Sequence, residues 1–82
     1  MPGVPMERTL TTSILDPGDV AFGNRLRDRR RFLGISQITL ASAANLSLNR
    51  LQQYEAGVAT ISANTLHRLA KALSVGIETF FD

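Results

Sequence analysis

From Asp19 onward, apolar positions recur at helical spacing, and no segment there makes a convincing strand. Phe22, Leu26 and Leu33 stand at i, i+4 and i+11 with Arg30 beside the stripe, which predicts a first helix capped by Asp19. Pro17-Gly18 turns the chain into that helix, and Gly34 supplies the left-handed residue that ends it. A local pattern then recurs three times: an apolar residue, Ser, three residues, Leu. It reads Ile35-Ser36…Leu40, Leu46-Ser47…Leu51 and Ile61-Ser62…Leu66. Each repeat fits a helix start, with Ser at the N-cap and the apolar residue before it packing on the fourth helical position. Thr39, Arg50 and Thr65 hold the third helical position, so the Glu or Gln of a reciprocal capping box is missing.

The stops are equally readable. Asn45 tolerates the left-handed conformation after the second helix, and Gly57 provides it after the third. A fourth helix over about 63–73 presents Leu66, Leu69, Ala70 and Leu73 to the core, and Ser74-Val75-Gly76 breaks it. Ile77, Phe80 and Phe81 form a short final turn or helix. The expectation is an all-α domain of five helices over residues 19–82. Residues 1–18 hold all three prolines, two glycines and a Thr/Ser-rich run at 9–13. They read as a flexible leader, with Thr9–Leu15 as a short extended segment.

Eighty-two residues bound this to one small domain with a modest core. The absence of cysteine removes disulfides and thiolate metal sites, leaving packing, capping and pairing to supply stability. No apolar run approaches the roughly 20 residues of a membrane span. Residues 1–15 lack the basic region and apolar block of a signal peptide, so a cytoplasmic location is expected. Charge is uneven. Residues 1–19 set Arg8 against Glu7, Asp16 and Asp19, a net of −2; residues 20–82 set eight Arg and Lys against four acids, a net of +4. Arg25, Arg27, Arg29, Arg30 and Arg31 fall within seven residues, a cluster that suits either a polyanionic partner or a solvated helix face.

Enzymatic readings find little support. The chain has one histidine, His67, read as a surface or boundary residue, and no motif that pairs carboxylates, cradles phosphate or ligates metal. No cofactor and no small-molecule ligand are expected. A helix beginning at Ser47 turns Leu48, Leu51 and Tyr54 partly inward and sets Asn49, Gln52 and Gln53 on another face. Amides both donate and accept, so Asn49 and Gln53 suit adenine N6 and N7 in a major groove, and Leu48 suits a thymine methyl. Arg50 suits a phosphate or a guanine. A merely solvated polar helix would show the same spacing.

The ordered set Arg30…Gly34-Ile35-Ser36-Gln37…Leu40-Ala41…Asn45-Leu46-Ser47…Leu51…Tyr54-Glu55-Ala56-Gly57 resembles the phage repressor and Cro-like (XRE-type) helix-turn-helix family. The likeness continues through Ser62…Leu66…Leu69-Ala70-Lys71-Ala72-Leu73…Val75 and Phe80-Phe81, covering about residues 21–82. It implies a compact, lambda-repressor-like five-helix bundle of a bacterial regulator, with the second helix across the DNA backbone and the third in the major groove. By resemblance, Leu48, Asn49 and Gln53 contact bases, Gln37 and Gln52 contact phosphates, and Arg30 pairs with Glu55 near the backbone. Asn45 departs from the usual turn glycine, Leu48 from a residue that is often polar, and Arg29 from one that is often apolar. Leu48 cannot hydrogen-bond Gln37, and Arg29 must snorkel or serve phosphate.

The expected function is a sequence-specific DNA-binding transcriptional regulator, such as a repressor, acting as a homodimer on an inverted repeat of double-stranded DNA. Ile77, Phe80 and Phe81 serve the core or a dimer seam, one Phe being assigned to the core. The rival reading is an antitoxin-like or adaptor module, in which residues 1–18 fold on a protein partner.

Overall fold

The computed structural model describes residues 17–81; the leader expectation for residues 1–16, the extended segment Thr9–Leu15 included, lies outside the described residues. Four α-helices and one terminal turn follow in order: α1 (Pro17–Phe32), α2 (Gln37–Ala43), α3 (Leu48–Ala56), α4 (Ala63–Leu73) and a 3₁₀ turn (Ile77–Phe80). There is no strand among the described residues. The all-α class holds, but the fifth helix is a single 3₁₀ turn of four residues, too short to close an α-helical ladder.

The three serines start helices in the same way. Ser36, Ser47 and Ser62 have extended backbones, and each hydroxyl accepts from the amide three residues on, at Thr39, Arg50 and Thr65. Ser36 and Ser62 also donate to the Thr39 and Thr65 hydroxyls, at 2.9 and 3.0 Å. Those threonines thus bond back to the cap side chain where the usual box would place Glu or Gln. The preceding Ile35, Leu46 and Ile61 are half-buried against the core.

All four α-helices end with a residue at positive φ: Gly34, Asn45, Gly57 and Ser74. Each end carries the paired backbone bonds of a Schellman motif, as in Leu46 N–H to the Ala41 carbonyl (2.8 Å) and Asn45 N–H to the Ser42 carbonyl (3.1 Å). The break after α4 falls on Ser74, with φ 57°, while Gly76 has an ordinary extended backbone.

Two expectations for α1 are corrected. The helix begins at Pro17 rather than after a Pro17-Gly18 turn, because a proline at the first helical position gives up only an N–H that has no partner there. Asp19 therefore sits inside the first turn, where its carboxylate accepts from the Thr60 hydroxyl at 2.9 Å. Leu33 lies beyond the helix and is exposed. The inward stripe is Phe22, Leu26 and Arg30, spaced i, i+4 and i+8.

The core gathers Phe22 and Leu26 of α1, Leu40 of α2, Leu51 and Tyr54 of α3, and Leu69 and Leu73 of α4. Phe80 closes it from the terminal turn, meeting Phe22 edge-on at 5.4 Å between ring centroids. Phe81 stays 60% exposed and stacks on Phe22 from outside. The α1–α3 contact is the most extensive between helices, and glycine makes it possible. A Cβ on Gly23 would press into the Tyr54 carbonyl and lie 2.6 Å from the Glu55 carbonyl, while one on Gly57 would lie 2.7 Å from Val20 Cα.

Gly23→Ala decides between two effects. Glycine inside a solvated helix costs about 1 kcal/mol relative to alanine, so the substitution would ordinarily stabilise. Here the clash with rigid backbone outweighs that gain, and a net loss of about 1–3 kcal/mol is expected in urea denaturation.

Candidate nucleic-acid interface

The helix-turn-helix unit is α2, the Asn45 turn and α3. Glu55, in the last turn of α3, organises it. Its side chain is 4% exposed, and its carboxylate accepts three hydrogen bonds: from Arg30 Nε (2.7 Å), Arg30 Nη2 (3.1 Å) and Gln37 Nε2 (3.0 Å). Arg30 belongs to α1 and Gln37 opens α2, so one carboxylate joins three helices. Arg30 also donates from Nη1 to the Ile35 carbonyl at 3.1 Å, tying the α1–α2 turn to the same centre. Three of the five guanidinium N–H groups are engaged, leaving two.

The network extends outward. Gln52 Nε2 donates to Gln37 Oε1 at 3.2 Å, so the two glutamines form an exposed bridge between α2 and α3. A chain of bonds thus runs Arg30, Glu55, Gln37, Gln52, from core to surface. Gln37 finds its partners in Glu55 and Gln52, with no call on Leu48.

Leu51 and Tyr54 of α3 are buried; Asn49, Arg50 and Gln52 are exposed, and Gln53 is half-buried. Arg50 reaches along the helix, with Nη1 3.4 Å from Gln53 Oε1 and its guanidinium 5.8 Å from the Tyr54 ring centroid. Leu48 is 38% exposed and lines an open groove of about 380 Å³ with Ile38, Ala41, Ser42, Asn45 and Leu46. Ile38, which sequence reasoning passed over, adds a largely exposed apolar side chain at this edge. Its signal was available: an isoleucine directly after the α2 start, off the core stripe that runs to Leu40 and Ala41.

The five clustered arginines do not make one patch. Arg25 donates to the Phe80 carbonyl at 3.3 Å, Arg27 to Asn24 at 2.6 Å, and Arg30 turns inward. Arg29 lies against the Phe32 ring, 5.1 Å from its centroid, with Nε buried. Arg31 is exposed. His67 is exposed too, and no group of three or more potential metal ligands occurs among the described residues. No described helix is long and apolar enough to cross a membrane.

Comparison with known proteins agrees with this geometry. A helix-turn-helix family model matches residues 26–80, and the chain belongs to that family of phage-repressor (XRE-type) DNA-binding domains. Over 63 residues it is 44% identical to a transcriptional regulator in the ATPase CF(0) region of Rhodospirillum rubrum, covering 77% of this chain and 58% of that protein. It is 38% identical to the HTH-type transcriptional regulator y4wC of Sinorhizobium fredii, covering 78% of this chain and 45% of that one. The chain therefore spans about half the length of the curated relatives it matches. Among solved structures it resembles the restriction-modification controller protein C.AhdI of Aeromonas hydrophila, with TM-score 0.75 and 35% identity over 77% of this chain and 96% of that one. The clp gene regulator ClgR of C. glutamicum superposes with TM-score 0.75 and 26% identity, covering 78% of this chain and 83% of that one.

Removing the central carboxylate strands a buried guanidinium. Glu55→Ala is expected to cost about 3–5 kcal/mol of unfolding free energy. A double cycle with Arg30→Ala should return a coupling of about 0.5–3 kcal/mol between the two sites. Additive losses in denaturant titrations would mean that the pair contributes no more than its separate parts.

Proposed function

We propose that this chain is a sequence-specific DNA-binding transcriptional regulator, cytoplasmic and nucleoid-associated, that inserts Leu48–Ala56 into the major groove. The observation that carries the reading is the fixed setting of α3: Glu55 is bonded to both α1 and α2, while Asn49, Arg50 and Gln52 stay exposed. A helix tied to two neighbours through one buried carboxylate presents its outer side chains at a set angle. That pre-organisation keeps down the ordering cost of binding.

In this reading Asn49 and Gln53 address adenine edges. Gln53 Oε1 exchanges its contact with Arg50 for the adenine N6 amino group, and its amide donates to N7. The released Arg50 guanidinium then takes a phosphate. Gln37 and Gln52 hold one another in register along the backbone, and each amide nitrogen keeps a second N–H to offer a phosphate oxygen. Arg30 supports the same strand with its two remaining N–H groups. These polar contacts position the protein and carry no base preference of their own. Leu48 meets a thymine methyl. A homodimer would set two copies of α3 about 34 Å apart, matching an inverted repeat with half-sites one helical turn apart.

Selection of bound sequences from random duplex DNA tests this directly, a palindrome being the expected outcome. On the selected site, Gln53→Ala should cost about 1–3 kcal/mol, leaving binding to random duplex unchanged. An equal loss on both would remove Gln53 from base reading. Affinity for either duplex should fall by roughly 0.9 log units per log unit of salt for each phosphate neutralised. Binding to a protein partner, with no salt-sensitive DNA binding at all, would transfer the assignment to an adaptor.

Leu48 has its own test. Replacing each selected thymine in turn by deoxyuridine removes one methyl, worth about 0.8 kcal/mol if buried. One position should show that loss with the native chain and none with Leu48→Ala. Uniform tolerance of uridine would leave Leu48 as a packing residue alone.

A further inference from the structure

We propose that the face of α1 bearing Arg25, Asp28, Arg29 and Phe32 is the seam on which a second copy of this chain docks; this deepens the dimer reading above and rests on it. At 100° per residue these four positions share one stripe. Phe32 is 76% exposed, a large aromatic surface with no place in the core. With Arg25, Asp28, Arg29 and Thr79 it lines an open hollow of about 360 Å³. Arg29 Nε is buried there without a hydrogen-bond partner, and Asp28 is exposed with no ion pair among the described residues. The face thus sets a large exposed aromatic ring beside side chains of both charges.

Charge identifies the occupant. A polyanion would meet Asp28, and a basic partner would meet Arg25 and Arg29. A second α1, antiparallel about a two-fold axis between positions 28 and 29, satisfies both signs at once. Asp28 then faces the partner's Arg29, the partner's Asp28 faces Arg29, and Arg25 falls opposite the partner's Phe32 at each end. Such self-complementarity is what an isologous interface requires. Phe81, exposed next to the Phe80 carbonyl that Arg25 meets, adds apolar surface at that end of the face. The site is also placed to leave DNA contact free. Gly23 and Arg30, which meet α3, project from the opposite side of α1.

Sedimentation equilibrium of the full chain without DNA tests the seam, with circular dichroism confirming helicity of each variant. The wild-type chain should be dimeric at micromolar concentration. Arg29→Asp sets acid against acid twice and should raise the dissociation constant by at least about tenfold. Combining it with Asp28→Arg re-pairs the charges and should restore dimerisation. Phe32→Ala, at a side chain outside the core, should also weaken the dimer and serves if the charge variants fold poorly. A monomeric wild-type chain, a dimer indifferent to both Arg29→Asp and Phe32→Ala, or failure of the folded double variant to recover would each overturn the seam. Low-salt binding of wild-type protein to a random-sequence duplex separates this from the DNA reading. A dimer that binds no duplex keeps the seam and removes that reading; a monomer that binds duplex does the reverse.

Discussion

A carboxylate as secluded as that of Glu55 is tolerable only if donors surround it, and the helix-turn-helix is arranged to supply them. Arg30 gives two N–H groups from α1, and Gln37 gives one from the first residue of α2. Hydrogen bonds are directional where apolar packing is not. Leu51 and Tyr54 bring α3 to the core, but the bidentate pair selects the rotation and tilt at which it rests there. Gly23 serves the same end by letting the α1 backbone approach the Tyr54 and Glu55 carbonyls, so that a side chain from α1 reaches the end of α3.

Much of this fold was legible locally. The three Ser starts, and the left-handed stops at Gly34, Asn45 and Gly57, depend on bonds between residues at most five apart, so sequence neighbours carry the whole signal. The break after α4 was legible as the run Ser74-Val75-Gly76 but not to the residue, because serine has no particular liking for positive φ, yet Ser74 takes it and Gly76 stays extended. Leu33 was misjudged because the periodicity of α1 was extended one residue past its end, where Gly34 already turns the chain. Gly23 gave no sign at all, since its value lies in a contact with Tyr54 and Glu55, far from it in sequence.

The site was legible in a different way. The amides of α3 could be seen on one face, but a solvated helix would look the same. What distinguishes the two is tertiary: Arg30 and Glu55 lie 25 residues apart, and no spacing rule links them. Their pairing was anticipated through likeness to a family, not from periodicity. The arginine cluster shows the reverse case. Five basic residues within seven positions suggest one surface, yet a helix turns 100° at each step and sends them to different neighbours. One enters the core, one tops the terminal turn, and one lies against Phe32.

The serine caps have a consequence beyond where helices begin. Each of the last three α-helices carries its own start and stop, so each can form fleetingly before any long-range contact exists. The interactions that must be found late are few, chiefly the α1–α3 crossing with its buried ion pair. Chains dominated by local contacts reach their native state on roughly a microsecond-to-millisecond timescale. In a domain this small, with no cysteine to cross-link it, such local signals favour rapid reclosure after an opening. Where reclosing outpaces cleavage, attack on an opened molecule is governed by the population of the open form, not by the rate of opening.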